Sequence, residues 1–421
     1  MTIFTYSHPF YNMRNYISQR YKSPIFSSLS VLPTDPILGL ATLYEADQKV
    51  EKVDLGVGVY RQADGRTPIM EAVQEAYIRL AQQEASKSYI SHAGWPGFTR
   101  ACRNLALGTD LSNQLEGKLS VLQTPGGCGA LRLGFDLIAT STPGATVWVS
   151  NPTWANHVPI LEAAGLHAQS YNYYCPKTGQ VDTTAMLQSL EQAEAGDIVL
   201  LHACCHNPTG ADIPAEAWEA LISLIEQKGL LPFIDMAYQG FGDGLEEDAG
   251  LTRKLFASLP EVLLSYSCSK NFGLYRERVG ALIIKSPTVK QAEAVESNMA
   301  RIARQSYSMP PAHGAALVTT VLEDQTLRTS WQRELDEMRS RITFLRKDLD
   351  TALAHYGTND GLGNITGQNG MFSRLNLSED QVSVLQRSYS IYMPANGRIN
   401  VAGLNRENIP YVARALTSVS G

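Results

Sequence analysis

The chain has 421 residues, of which 44% are hydrophobic and 18% charged. That length exceeds what one compact core serves, so two domains are expected. A net charge of -6 lacks the basic surplus of a nucleic-acid binder, and no apolar run approaches the length of a membrane helix, so neither partner is expected.

In chain order, residues 1–24 come first. They are rich in aromatics, carry Arg14, Arg20 and Lys22, and hold no acid; the first carboxylate is Asp35. One reading is a transit peptide, typically Arg- and Ser-rich and poor in acids. The other, preferred here, is a non-essential extension over residues 1–25, with Met13 as a second possible start. The expected location is cytoplasmic on the second reading and organellar on the first. No long apolar stretch suits a secretion signal.

Apolar runs then alternate with helical stretches. The runs are 119–123, 146–150, 197–203, 231–236, 262–267 and 279–285. Short, fully apolar runs separated by helices predict a mostly parallel sheet covered on both faces, an α/β architecture. Sites in such sheets lie beyond the carboxyl ends of strands. Further on, Trp331, Leu335, Met338, Ile342, Leu345, Leu349 and Leu353 recur at helical spacing. They predict one long amphipathic helix whose apolar face packs into the core.

The six cysteines are scattered with no C-x-x-C pair, which points to a reduced compartment. His202-Ala203-Cys204-Cys205-His206 invites a metal reading, but neighbouring side chains of a strand point to opposite faces and cannot all meet one ion. No metal site is expected.

Four features carry chemistry. Thr124-Pro125-Gly126-Gly127-Cys128-Gly129 follows a strand and opens a helix, where free N–H groups favour an anion such as phosphate. It is neither a Walker loop nor a G-x-G-x-x-G turn. Lys270, in Ser267-Cys268-Ser269-Lys270-Asn271, sits just past an apolar strand, where desolvation lowers an amine's pKa and suits it to form a Schiff base. Ser267 and Arg278 are placed to bind an anion nearby. Asp235 ends another strand, with Tyr238 close behind. With Trp154 as an aromatic plate and His157 as support for the acid, that set suits pyridoxal phosphate, whose ring nitrogen needs an acid partner.

From about Phe26 to Gly421 the chain resembles the aspartate and aromatic amino acid aminotransferases, fold-type-I enzymes that use pyridoxal 5'-phosphate. The resemblance is carried by Asp35-Pro36-Ile37-Leu38-Gly39-Leu40, Gly56-Val57-Gly58-Val59-Tyr60, the Gly127 loop, Cys205-His206-Asn207-Pro208-Thr209-Gly210 and Asp235-Met236-Ala237-Tyr238-Gln239-Gly240-Phe241. Ser269-Lys270-Asn271-Phe272-Gly273-Leu274-Tyr275, Tyr307-Ser308-Met309-Pro310-Pro311, Asn369-Gly370-Met371-Phe372-Ser373 and Gly397-Arg398-Ile399-Asn400-Val401-Ala402-Gly403 continue it. It implies a large cofactor domain over 68–340 and a small domain from 26–67 and 341–421. It also implies a homodimer with shared sites.

The resemblance assigns roles. Lys270 is implied as the Schiff-base lysine, Asp235, supported by His157, as the partner of the pyridine nitrogen, and Trp154 as the residue stacked on the ring. Asn207 and Tyr238 are implied to hold the phenolic oxygen. Gly127, Cys128, Ser267 and Arg278 are implied to bind the phosphate, joined by Tyr89 and Ser308 of the neighbouring subunit. Arg398 is implied to clamp the α-carboxylate and the neighbour's Arg304 the side-chain carboxylate, with Gly58, Trp154 and Asn207 lining the substrate pocket. Cys128 and Cys268 depart from the family's usual Thr or Ser and Tyr, and a thiol is a weaker donor than a hydroxyl.

The implied reaction is ping-pong transamination between an amino acid and a 2-oxo acid. Val59, Arg61 and Thr67 resemble the aspartate-preferring branch and should keep the pocket electropositive. Ser88, Cys128 and Met309 fit neither branch. Aspartate is therefore the expected substrate, with 2-oxoglutarate as acceptor, and a broad aromatic aminotransferase is the alternative.

Overall fold

A computed structural model describes residues 24–32, 36–357 and 362–420. The extension read over 1–25 falls, save its last two residues, outside the described residues, as does Asp35.

All six apolar runs are strands: β1 (Leu119–Pro125), β2 (Thr146–Asn151), β4 (Ile198–His202), β5 (Leu231–Met236), β6 (Val262–Ser267) and β7 (Val279–Lys285). Every residue of β4, β6 and β7 is buried, as continuous apolar runs require when helices cover both faces. A seventh strand, β3 (His167–Asn172), has no apolar run. It lies at the sheet edge, and of its residues only Tyr171 is buried. Polar residues suffice there because one face and one edge meet water.

The strand order is β1-β7-β6-β5-β4-β2-β3. Six strands run parallel, while β7 is antiparallel to both β1 and β6. The mostly parallel sheet is thus found with one reversed strand, and that reversal has a consequence for the site. A parallel crossover would carry the chain away from the carboxyl edge. Here β6 ends at Ser267 and β7 begins at Val279 on the same edge, with Gly280 opposite Ser267. The connecting loop, bearing Lys270 and Arg278, never leaves it.

Helix α1 (Gly126–Ser141) starts directly from β1. Helix α2 (Gln325–His355) is 31 residues long, and all seven predicted stripe residues are buried along it. Each such side chain contributes roughly 1.5–3 kcal/mol relative to exposure. Segments near both ends of the chain also meet. Val53–Asp54 pairs in parallel with Ile391–Tyr392, and Phe372–Arg374 pairs antiparallel with Arg398–Asn400. Among the described residues, no helix is long and apolar enough to cross a membrane.

Candidate active site

The carboxyl ends of β1, β4, β5 and β6 open into one cavity. Register sets its floor: His202, Asp235 and Ser265 lie opposite one another on three adjacent strands. Gly127, Cys128, Trp154, Asn207, Asp235, Tyr238, Ser267, Lys270 and Arg278, all singled out from sequence, line this cavity.

One end is built for an anion. Gly126 has φ +71, and a Cβ there would lie 2.7 Å from Arg278 Nη2. A Cβ on Gly127 would lie 3.0 Å from the Cβ of Ser267. Only glycines allow the start of α1 to approach so closely. Arg278 itself takes φ +55, a strained backbone for an arginine. Its guanidinium is held by Tyr275 O at 2.7 Å and Ser269 Oγ at 3.4 Å. Helix N-terminus, serine hydroxyl and guanidinium converge as a phosphate requires. Cys128 lines the same end and accepts from Asn156 Nδ2 at 3.7 Å. Burial pushes its thiol up, so it stays neutral beside an anion. Cys268 is fully buried in the core and does not line the cavity, so its departure from the family leaves the cradle untouched.

The other end carries the acid. His157 Nε2 meets Asp235 Oδ2 at 3.1 Å. Burial acts to raise the Asp235 pKa. The His157 hydrogen bond and the Lys270 ammonium, among its neighbours, outweigh burial and hold it below the usual carboxylate range. Behind it runs a buried chain. Thr153 Oγ1 lies 2.8 Å from His157 Nδ1 and 3.4 Å from His202 Nε2, and Asn207 N donates to His202 Nδ1 at 3.4 Å. Burial lowers the His202 pKa to about 3, so its ring is neutral. With Nδ1 accepting, Nε2 carries the proton and donates to Thr153. The threonine hydroxyl then donates to His157, and His157 to Asp235.

Lys270 Nζ stands 5.0 Å from the centroid of the Tyr238 ring. Desolvation lowers its pKa to about 8, with Asp235 opposing and Arg278 and Arg398 assisting. Burial pushes the Tyr238 phenol up, so it remains a donor. The neutral amine is the nucleophile, so acetylation of Lys270 by acetic anhydride in the unloaded protein is expected to rise with pH through a midpoint of about 8 and then level off. A midpoint near that of a solvated lysine, about 10.4, would remove desolvation from the account.

Arg398 does not line the cavity but stands behind Tyr238 and Phe372. Its guanidinium carbon lies 4.4 Å from the Phe372 centroid, and that ring is 5.8 Å from Tyr238. Arg398 is 5% exposed, donates through Nη2 to Gly56 O, and has an Nε with no hydrogen-bond partner among the described residues. A buried charged donor left open calls for an anionic ligand. Gly58 borders the same ring, since a Cβ there would lie 3.0 Å from Phe372 Cζ.

Tyr89, Arg304 and Ser308 do not line the cavity of their own chain. Tyr89 is 93% exposed, and Arg304 donates to the Ser308 hydroxyl. Arg61 needs a correction. Its Nη2 binds Asp54 Oδ2 at 2.6 Å, so its charge is neutralised and adds no positive potential for a substrate. Sequence reasoning also missed Asn156, His202 and Tyr275 as lining residues. Their signal was position alone: His202 stands within the run 197–203, Asn156 beside His157, and Tyr275 in the motif that follows Lys270.

Each part of pyridoxal phosphate finds a counterpart here: an anion cradle, a carboxylate held ionised, an amine of lowered pKa and a Trp154 plate. Comparisons with known proteins agree. A family model for aminotransferases of class I and II matches residues 50–416. An aromatic-amino-acid aminotransferase of Pseudomonas aeruginosa is 46% identical, covering 94% of this chain and 98% of that protein. An aspartate aminotransferase of Salmonella typhi is 42% identical over 94% of this chain and 100% of its own. The solved structure of an aromatic-amino-acid aminotransferase from Burkholderia pseudomallei, covalently bound to pyridoxal phosphate, superposes with a TM-score of 0.91 at 40% identity, covering 95% of this chain and 100% of that one. With a matching fold, a matching cavity and relatives that span nearly its whole length, the chain belongs to the class I and II aminotransferases, in their aspartate and aromatic amino acid group.

Proposed function

We propose that the protein moves the amino group between L-aspartate and 2-oxoglutarate, giving oxaloacetate and L-glutamate, in two half-reactions at one site. The observation that supports an amino acid substrate is the buried Arg398 guanidinium with its open Nε, close enough to Lys270 and Tyr238 to shift their ionisation; the choice of aspartate rests on Arg304.

Pyridoxal phosphate, when bound, supplies an electron sink for the pair released at the substrate's Cα. The chain's residues do the rest. Gly127, Cys128, Ser267 and Arg278 hold the phosphate. Trp154 supports the ring face, and Asp235, oriented by His157, keeps its negative charge beside the ring nitrogen. Asn207 and Tyr238 donate hydrogen bonds to the phenolic oxygen. Arg398 grips the α-carboxylate in a two-pronged fork, which presents the Cα–H bond to Lys270. Lys270 Nζ, neutral above about pH 8, accepts the Cα proton as general base.

The working unit in this reading is a homodimer. Tyr89 and Ser308 reach the partner's phosphate, and Arg304 reaches the side-chain carboxylate of the partner's substrate. Their position outside their own chain's cavity and the exposure of Tyr89 support it.

Aspartate selection rests on Arg304 alone, since Arg61 is already paired. A dicarboxylate neutralises Arg304, whereas an aromatic side chain leaves it unpaired. The value of kcat/KM for aspartate is expected to exceed that for phenylalanine by roughly tenfold to a thousandfold, or about 1.4 to 4 kcal/mol. Arg304→Leu should cut the aspartate value and spare the phenylalanine value. The second reading, a broad aromatic aminotransferase, is favoured by the 46% identical relative of that name. Wild-type preference for phenylalanine or tyrosine would establish it in place of the first.

A further inference from the structure

Arg346 lies within α2 and is 3% exposed, yet among the described residues no carboxylate hydrogen-bonds to it. All its bonds go to one segment. Nη1 donates to Ile365 O at 3.2 Å and to the Ser373 hydroxyl; Nη2 donates to Gly370 O and Phe372 O, both at 2.6 Å. A planar fork with four fixed acceptors permits only one path for the backbone between them. The segment is braced from its other side as well. Asn369 N donates to Gly210 O at 2.6 Å, and a Cβ on Gly370 would lie 2.3 Å from the Cβ of Cys205. The 205–212 turn bears Asn207 and is closed by Asp212, which accepts from Cys205 N at 2.9 Å and His206 N at 2.8 Å.

The side chain carried by this braced segment is Phe372. Its ring lies against the Arg398 guanidinium and edge-on to Tyr238. Two of the four acceptors on Arg346 belong to Phe372 and Ser373 themselves.

We infer that Arg346 is a positioning residue for substrate binding: by fixing the backbone at Phe372 it sets the seat, and hence the plane, of the Arg398 guanidinium. It touches neither substrate nor cofactor. The inference rests on the reading of Arg398 as the carboxylate clamp. Arg346→Met keeps the unbranched stem of the side chain while releasing all four acceptors. The effect falls on binding of the carboxylate and leaves the phosphate cradle, built on β1, α1 and the β6–β7 loop, as it was.

The test uses the holoenzyme and succinate, a dicarboxylate without an amino group. In Arg346→Met the succinate Kd and the aspartate KM should rise about tenfold or more, with kcat within about threefold and cofactor content unchanged. Arg346→Lys, which keeps the charge but not the fork, should fall between wild type and Arg346→Met. A folded Arg346→Met with wild-type Kd and KM overturns the inference. So does a fall in cofactor content and kcat at constant KM, which would mark a plain support of the fold. If Arg346→Met does not fold, Arg346→Lys and Ser373→Ala decide: a KM rise of about threefold in both is expected, and an unchanged KM in both overturns it. Arg398→Ala is the control. If it binds succinate as wild type does, the clamp reading itself is wrong and this inference falls with it, whereas a weakened Arg398→Ala beside an unchanged Arg346→Met rejects the inference alone.

Discussion

Lys270→Ala is expected to lose transamination of aspartate by more than about four orders of magnitude, because the general base and the covalent anchor go together. No neighbour can take over. Among the described residues the buried lysine Lys285 has its Nζ committed to Phe256 O at 2.7 Å and Leu259 O at 2.6 Å, at the opposite end of β7. The measurement is steady-state turnover of aspartate with 2-oxoglutarate, with thermal unfolding to confirm that the variant is folded. A folded variant with wild-type kcat would remove Lys270 from the chemistry.

Asp235→Ala should cost roughly a thousandfold in kcat, about 4 kcal/mol in the barrier. The loss is large because the whole buried chain from Asn207 through His202, Thr153 and His157 delivers its last donor to this carboxylate. With alanine there, the His157 N–H points into a buried gap without an acceptor. Asp235→Glu keeps the charge and should be milder, its longer arm displacing the contact. A loss under about tenfold for Asp235→Ala would mean that another acid serves the ring nitrogen.

Much of this arrangement is legible in the sequence because it is written in hydrophobicity. Strands such as Val262–Ser267 are buried on both faces, so each residue must be apolar or small, and the run stands out. His167–Asn172 gives no such signal, because an edge strand does not need one. Strand direction is also silent: Val279–Lys285 reads like its parallel neighbours, and only the pairing reveals its reversal. For the site, motifs located Lys270, Asp235 and the glycine cradle, since each stands at a strand end. Arg61 was misjudged because a sequence displays a charge but not its partner, Asp54. His202 was weighed only as a metal ligand. Its contact with Thr153 spans 49 positions and leaves no local pattern.

The hydrogen bond from Arg398 to Gly56 spans 342 positions. Such a contact closes one of the longest loops the chain can form, at a closure entropy that grows with loop length. During synthesis from the N-terminus, a nascent chain that has reached Lys285 holds Gly127, Cys128, Ser267 and Arg278 of its own phosphate cradle and the acid beside it. The same chain has no Arg398, and the backbone at Val53–Asp54 has no strand to pair with. The residues read as holding the cofactor are therefore made before the residue read as the substrate clamp. A chain ending before residue 391 would lack both the strand that pairs with Val53–Asp54 and the guanidinium that reaches Gly56.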